Sequence, residues 1–183
     1  IVVNDEERFA EIAILTQAGL IPTGRMVQFV EKGESREGIL GSPRDPECKK
    51  KNGTIGVGKF SELDGEGAAI SDGYVYVVGS HSCSGKGKYK PSSYLVARFK
   101  AHDSNHIVGN GLPVMERSWR IADMLLASDV RMAYGRKKEI GTNIEGIAIS
   151  GGRLYVGLRS PNINGDAFIV SAPVKDLFAA GSQ

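Results

Sequence analysis

The feature that most constrains this chain is an internal repeat of fourteen residues. Residues 64–77 and residues 143–156 align without a gap at an offset of 79, and each copy has a Glu-Gly pair at its third and fourth positions. In both copies a short turn separates two β-prone runs, which predicts a β-hairpin. Repetition at a fixed spacing is typical of architectures that stack copies of one unit, so the fold is expected to be built from such hairpins.

The rest of the chain is also rich in predicted strands. β-prone runs occur at 9–15, 94–99 and 167–171, while residues 31–59 are polar and predict a long excursion. One short helix is expected at 116–128, because apolar residues recur there at spacings of three and four: Trp119, Ala122, Leu125 and Leu126. Short strands with frequent turns predict an all-β fold.

The length of the repeat suggests which all-β fold. A propeller blade takes about 40–45 residues, so an offset of 79 corresponds to about two blades. Propellers close with four or more blades, which predicts one propeller-like domain over 1–183 with about four blades' worth of chain. Residues 1–6 look like the end of a third hairpin without its first strand. We therefore expect an incomplete propeller, completed by a second chain or by a further segment.

Composition excludes several classes of function. Lys plus Arg exceed Asp plus Glu by only two charges, which gives no electrostatic basis for nucleic-acid binding. No apolar run reaches the roughly 18 residues of a membrane-spanning helix. Glycine is abundant, with 24 residues, as expected for many tight turns. The two cysteines, Cys48 and Cys83, form either one bridge or two unrelated thiols, and a cytoplasmic and an exported location both stay open.

The repeat also predicts where a functional site lies. In an antiparallel hairpin the start of the first strand lies beside the end of the second. Glu66 and His81 should therefore share one edge, and Glu145 and Arg159 the equivalent edge of the other hairpin. Four further polar residues are expected at this edge, which would be the channel mouth of a propeller: Asp5, Glu6, Ser80 and Asn143.

Two functions fit these residue types. The first is a binding domain that takes a small ligand, a cation or a protein at the mouth, with Ca²⁺ a candidate because Glu66 and Glu145 offer hard oxygen ligands. The alternative is a metal-assisted hydrolase of a phosphate or carboxylate ester. In it a glutamate serves as base or metal ligand, His81 exchanges protons and Arg159 holds the anion. A purely structural role, in which the glutamates cap amides or pair with Arg159, also stays open.

The same motifs carry a resemblance to a known family. The chain resembles the proteins of domain-of-unknown-function family 3616, which look like β-propellers, through four segments in order: 3–6, 64–69, 79–88 and 143–161. The resemblance implies a propeller with a polar channel mouth and implies no reaction. A more distant similarity, to phytase-like and esterase-like propellers, rests on the Glu-Gly hairpin alone.

Overall fold

The strands form three antiparallel sheets stacked side by side. The computed structural model describes residues 2–3, 8–30, 37–44, 48, 60, 62–84, 86–101, 114–136 and 140–181. The first sheet contains β1 (Val2–Val3), β2 (Phe9–Thr16) and β3 (Gly19–Gln28) in that order. The prediction of an all-β fold is confirmed, and the side-by-side sheets are consistent with part of a propeller.

The second and third sheets each begin with one copy of the repeat. The second contains β5 (Gly65–Ser71), β6 (Tyr74–Gly79), β7 (Val96–Lys100) and β8 (Glu116–Ser118), and its edge strand β4 (Ile39–Leu40) runs parallel to β8. The third contains β9 (Asn143–Ser150), β10 (Arg153–Ile163) and β11 (Asp166–Pro173). The remaining elements are short helices: α1 (Ile121–Leu126), α2 (Val174–Leu177) and two 3₁₀ turns, Pro91–Tyr94 and Arg131–Ala133.

The two copies of the repeat have the same register. Each hairpin closes with two residues at positive φ, Asp72-Gly73 and Gly151-Gly152, as a type I′ turn requires. Gly67 pairs with Val78 in the first copy, and Gly146 pairs with Gly157 at the equivalent place in the second. On the side of Gly67 and Gly146 that faces away from the turn, β5 and β9 each contain one extra residue relative to the partner strand. That residue is the repeated glutamate, so the Glu-Gly pair marks a β-bulge in both sheets.

The core lies between the sheets. The strands of the second sheet are the most deeply buried, and Val77, Val78 and Val96 have no exposed surface. Trp119, which precedes α1, is 2 % exposed and packs on Phe60 with ring centroids 6.1 Å apart. The single tryptophan is therefore a core residue.

Two predictions need correction. The helix is shorter than 116–128, because residues 116–118 add strand β8 to the second sheet and only 121–126 are helical. The offset of 79 separates consecutive sheets rather than sheets two blades apart, since Ile144 at the start of β9 donates its backbone N–H to the Ser80 carbonyl (2.8 Å). Strand β1 pairs with β2, the strand that follows it, just as β6 pairs with β7.

The alternatives for the cysteines are resolved as one bridge. Cys48 and Cys83 form a disulfide with Cα atoms 5.6 Å apart. The bridge is buried beside Tyr94, whose hydroxyl lies 3.5 Å from the Cys48 sulfur. Burial raises the pKa of Tyr94 well above its ordinary value, so this hydroxyl keeps its proton and can donate to the sulfur.

Candidate functional site

The ends of the two repeat hairpins meet along one edge of the stacked sheets. There the end of β6 and the start of β9 lie side by side: Ile144 donates its N–H to the Ser80 carbonyl, and the Thr142 hydroxyl donates to the His81 carbonyl (3.1 Å). The end of β10 joins them, because Ser160 pairs with Asn143 and its hydroxyl donates to the Gly141 carbonyl (2.7 Å). The predicted site residues of both copies therefore share this edge, which we call the junction.

A polar trio from the second copy forms the exposed part of the junction. The amide nitrogen of Asn143 donates to Glu145 Oε1 (2.7 Å), and the Arg159 guanidinium lies 3.3 Å from the same oxygen. Glu145 and Arg159 are exposed while Asn143 is completely buried. Glu145 and Arg159 thus lie together as predicted, and the bulge explains why the glutamate projects from the ladder.

Asn143 also contains an acceptor whose partner is missing. Because a carboxylate only accepts, the contact with Glu145 identifies the donating nitrogen and leaves Oδ1 as the other atom of the amide. Oδ1 is buried, and no donor among the described residues bonds to it. An unpaired buried acceptor costs about 1–3 kcal/mol, so a ligand that donates a hydrogen bond or carries positive charge would be stabilised here.

The first copy arranges its polar residues differently. Glu66 occupies the bulge equivalent to that of Glu145 and is partly buried. The buried Ser80 hydroxyl donates to the Asp64 carboxylate and lies 3.0 Å from the Ser82 hydroxyl. Ser80 therefore stabilises the junction from within rather than facing solvent.

His81 lies inside the protein rather than at an open mouth. Its backbone has a positive φ of 51°, which turns the side chain inward, and the ring is completely buried 5.6 Å from the ring of Tyr94. Nδ1 donates to the Gly79 carbonyl (2.9 Å), while Nε2 receives no hydrogen bond from the described residues. Burial lowers the pKa of His81 from 6.5 to about 4 and outweighs the opposing effect of the Gly79 contact. The imidazole is therefore neutral at pH 7, and its single N–H proton is engaged by the Gly79 carbonyl rather than available to a substrate.

Of the four carboxylates predicted at this edge, the structure describes Glu66 and Glu145. Asp5 and Glu6 lie outside the described residues. Within the part of the chain that is described, no three His, Cys, Asp or Glu side chains are close enough to hold a metal ion. Any cation bound by these residues would therefore depend on amide and carbonyl oxygens such as Asn143 Oδ1 beside one carboxylate.

Sequence reasoning missed an apolar cleft that adjoins the junction. Its volume is about 160 Å³, and its mainly apolar lining, which includes Met132, Ile140 and Ile163, also contains the charged residues Asp129 and Arg136. Between Leu158 and Ile163 the pairing of β10 with β11 is interrupted, and this stretch includes Pro161 after a cis peptide bond. Ile140 lies two residues before Thr142 of the junction, and Pro161 lies two residues after Arg159 of the polar trio. The cleft therefore adjoins the junction along both chain segments.

The comparisons with known proteins agree with the resemblance read from the sequence. The family model described as "Protein of unknown function (DUF3616)" matches residues 57–118 and 121–177, which is most of the chain. A search of curated proteins finds no match. Among the helices that the structure describes, none has the length and apolar character needed to cross a membrane.

Proposed function

Because the chain belongs to the DUF3616 family of proteins of unknown function, we propose a function from the junction alone: it is the binding site of a small cationic ligand. We further propose that the three sheets are blades of a β-propeller and that the junction lies at its channel mouth. The observation that carries the binding proposal is the buried Asn143 Oδ1, which receives no hydrogen bond from the described residues while the nitrogen of the same amide holds the exposed carboxylate of Glu145.

The charge distribution favours a cation. Glu145 is the carboxylate that both Asn143 and Arg159 contact, and its exposed side leaves room for a second positive group. Arg159 already places a guanidinium 3.3 Å from this carboxylate. Because the ion pair is exposed, it is weak enough for another cation to replace the guanidinium. A ligand that displaces the guanidinium gains the carboxylate, which the Asn143 amide nitrogen holds in place. The neighbouring cleft offers an organic cation both apolar side chains and the carboxylate of Asp129.

We propose binding rather than hydrolysis. The hydrolytic hypothesis needs His81 to exchange protons with a substrate, and its ring is buried with its pKa lowered to about 4. Glu66, Glu145 and Asn143 enter the proposal as binding residues, and Arg159 enters it as the cation that the ligand displaces. Ser80 and His81 enter it as the buried support of the junction.

Isothermal titration calorimetry with two probes, CaCl₂ and n-butylammonium chloride, tests this proposal. At least one probe should bind, and Glu145→Gln should abolish the binding because the carboxylate charge is lost. Arg159→Gln should tighten it up to about fivefold, since an exposed ion pair that competes for the carboxylate is worth up to about 1 kcal/mol.

A matched control is available in another Glu–Arg pair. Glu116 accepts two hydrogen bonds from Arg98 (2.7 and 3.1 Å) at the far side of the second sheet. Glu116→Gln removes the same charge and should leave the affinity unchanged. Absence of binding by both probes, or equal losses in Glu145→Gln and Glu116→Gln, would refute the proposed site.

A further inference from the structure

The repeat provides an internal comparison between a covered and an uncovered sheet face. Gly67, Ala69 and Tyr76 lie on one face of the second sheet, and the offset of 79 makes Gly146, Ala148 and Tyr155 their equivalents on the third. The first set is covered by the third sheet: a Cβ added at Gly67 would lie 3.1 Å from the Ile147 side chain. Tyr76 is accordingly only 2 % exposed.

The equivalent face of the third sheet is open. No described atom lies within 4 Å of the position of a Cβ at Gly146, Ala148 is exposed, and Tyr155 is partly exposed. Two cross-strand rows of this face contain no charged residue, and Arg153 in the next row donates to the Ser171 hydroxyl (2.9 Å) at their margin. We call them the outer face: Gly146, Gly157 and Ile169 in one row, and Ala148, Tyr155 and Ser171 in the other.

Within the outer face, Ile169 is 74 % exposed. In the second sheet, the equivalent of Gly146 is Gly67, which the backbone of the third sheet approaches closely, and the equivalent of Tyr155 is the buried Tyr76. The outer face therefore resembles the face of the second sheet that the third sheet covers. An exposed apolar patch of this kind indicates an interaction surface.

The opposite end of the stack offers a complementary apolar surface. Phe99 points away from Tyr76 because it pairs with Val75, and its ring lies 6.3 Å from that of Phe29, which directly follows β3. The first sheet thus covers the other side of the second sheet. Because successive side chains alternate between the two faces of a strand, Leu15 and its direct partner Leu20 lie on the face of the β2–β3 hairpin that points away from the buried Ala10 and Val27. Both leucines are more than half exposed, and Met26 on the same face is 44 % exposed.

We propose that the outer face of the third sheet binds the first sheet of a second copy of this chain. Each copy presents both surfaces at opposite ends of its stack, so the contact is head to tail, and such contacts close into a ring when the rotation allows. Two copies supply six sheets, within the four to eight blades of closed propellers. This assembly is independent of the proposed ligand.

The test measures the native mass by light scattering on the purified chain. The expected value at micromolar concentration is twice 19.6 kDa. Ala148→Arg places a charge in the outer face, and Leu20→Arg places one on the hairpin, so each variant should be monomeric. Ala127→Arg is the matched control, because Ala127 is exposed beyond the end of α1, and it should stay dimeric.

Mixing the two monomeric variants tests the head-to-tail geometry. Ala148→Arg keeps an intact hairpin and Leu20→Arg keeps an intact outer face, so an equimolar mixture should recover dimers through one intact interface. A monomeric wild-type chain, a dimer that Ala148→Arg does not weaken, or a mixture that stays monomeric would each overturn the proposal. Melting temperatures close to that of the wild type verify that the variants are folded.

Discussion

Removal of the bridge between Cys48 and Cys83 should lower the free energy of unfolding by about 4 kcal/mol. The bridge joins residues 35 positions apart, and the loop includes the whole first copy of the repeat. For a loop of this length, the chain-entropy relation for cross-links gives about 4 kcal/mol at 25 °C, because the unfolded chain regains the freedom that the bridge removes. Domains of this size lose roughly 2–4 °C per kcal/mol, so the melting temperature should fall by about 8–16 °C.

The perturbation is best made by a double substitution. Both cysteines are buried, Cys48 at 5 % and Cys83 at 0 % exposure, so a serine hydroxyl there would need a partner of its own. Cys48→Ala with Cys83→Ala avoids that cost and removes both sulfurs. Equilibrium urea unfolding at constant ionic strength measures the change, since the midpoint and slope together give the free energy.

Two controls connect the effect to the bridge. Thiol titration of the denatured wild type, before and after reduction, should detect no free thiol and then two. Reductant should destabilise the wild type and leave the double alanine variant unchanged. A loss below about 1 kcal/mol in the double variant, with the wild-type bridge verified, would refute the entropy argument for this loop.

Two further substitutions probe the buried support of the junction. Because the pKa of His81 falls from 6.5 to about 4 on folding, the unfolded chain binds more protons in that window, and stability should decline by about 3 kcal/mol as the pH drops from 6.5 to 4. His81→Asn tolerates the positive φ and does not titrate, so its urea midpoints should decline less; equal declines would contradict the assignment. Gly79→Ala should destabilise the fold by about 1–3 kcal/mol, because its Cβ would lie 2.5 and 2.7 Å from the carbonyl oxygens of Ser93 and Leu63. Gly157→Ala meets no described atom within 4 Å and is the thermal-melting control when both glycine substitutions are made in the monomeric Ala148→Arg variant, whose outer face stays uncovered; equal losses would show that the close contacts are not the cause.

The local elements of the fold could be predicted from the sequence where their signals are short-range. The strands on both sides of Asp72-Gly73 and Gly151-Gly152 follow from β-prone runs joined by turns that need positive φ. By contrast, strand β3 was not predicted, because Pro22 and Gly24 interrupt its pattern, and the structure places a register shift there. Strand β8 was mistaken for the start of a helix, since three residues define no period.

At the candidate site, the sequence predicted which residues share one edge, but it did not predict which of them are buried. Glu145 and Arg159 meet because antiparallel pairing brings the ends of one hairpin together, which is a property of the hairpin itself. Antiparallel pairing also brings His81 to this edge in the first copy. Its positive φ turns the side chain into the core, however, where the ring is completely buried beside Tyr94. No local pattern signals that burial, because the covering residues come from other parts of the chain.

The sequence by itself determined the hairpins, their equal registers and the repeated glutamate, because turn chemistry and side-chain alternation act over a few residues. Only the tertiary structure decided that the two copies occupy consecutive sheets, that the cysteines are bridged and that the outer face of the third sheet is open. Each of these depends on contacts between residues far apart in the chain. The free energy of these contacts depends on how whole sheets pack against one another. The identity of a residue at one position does not specify that packing.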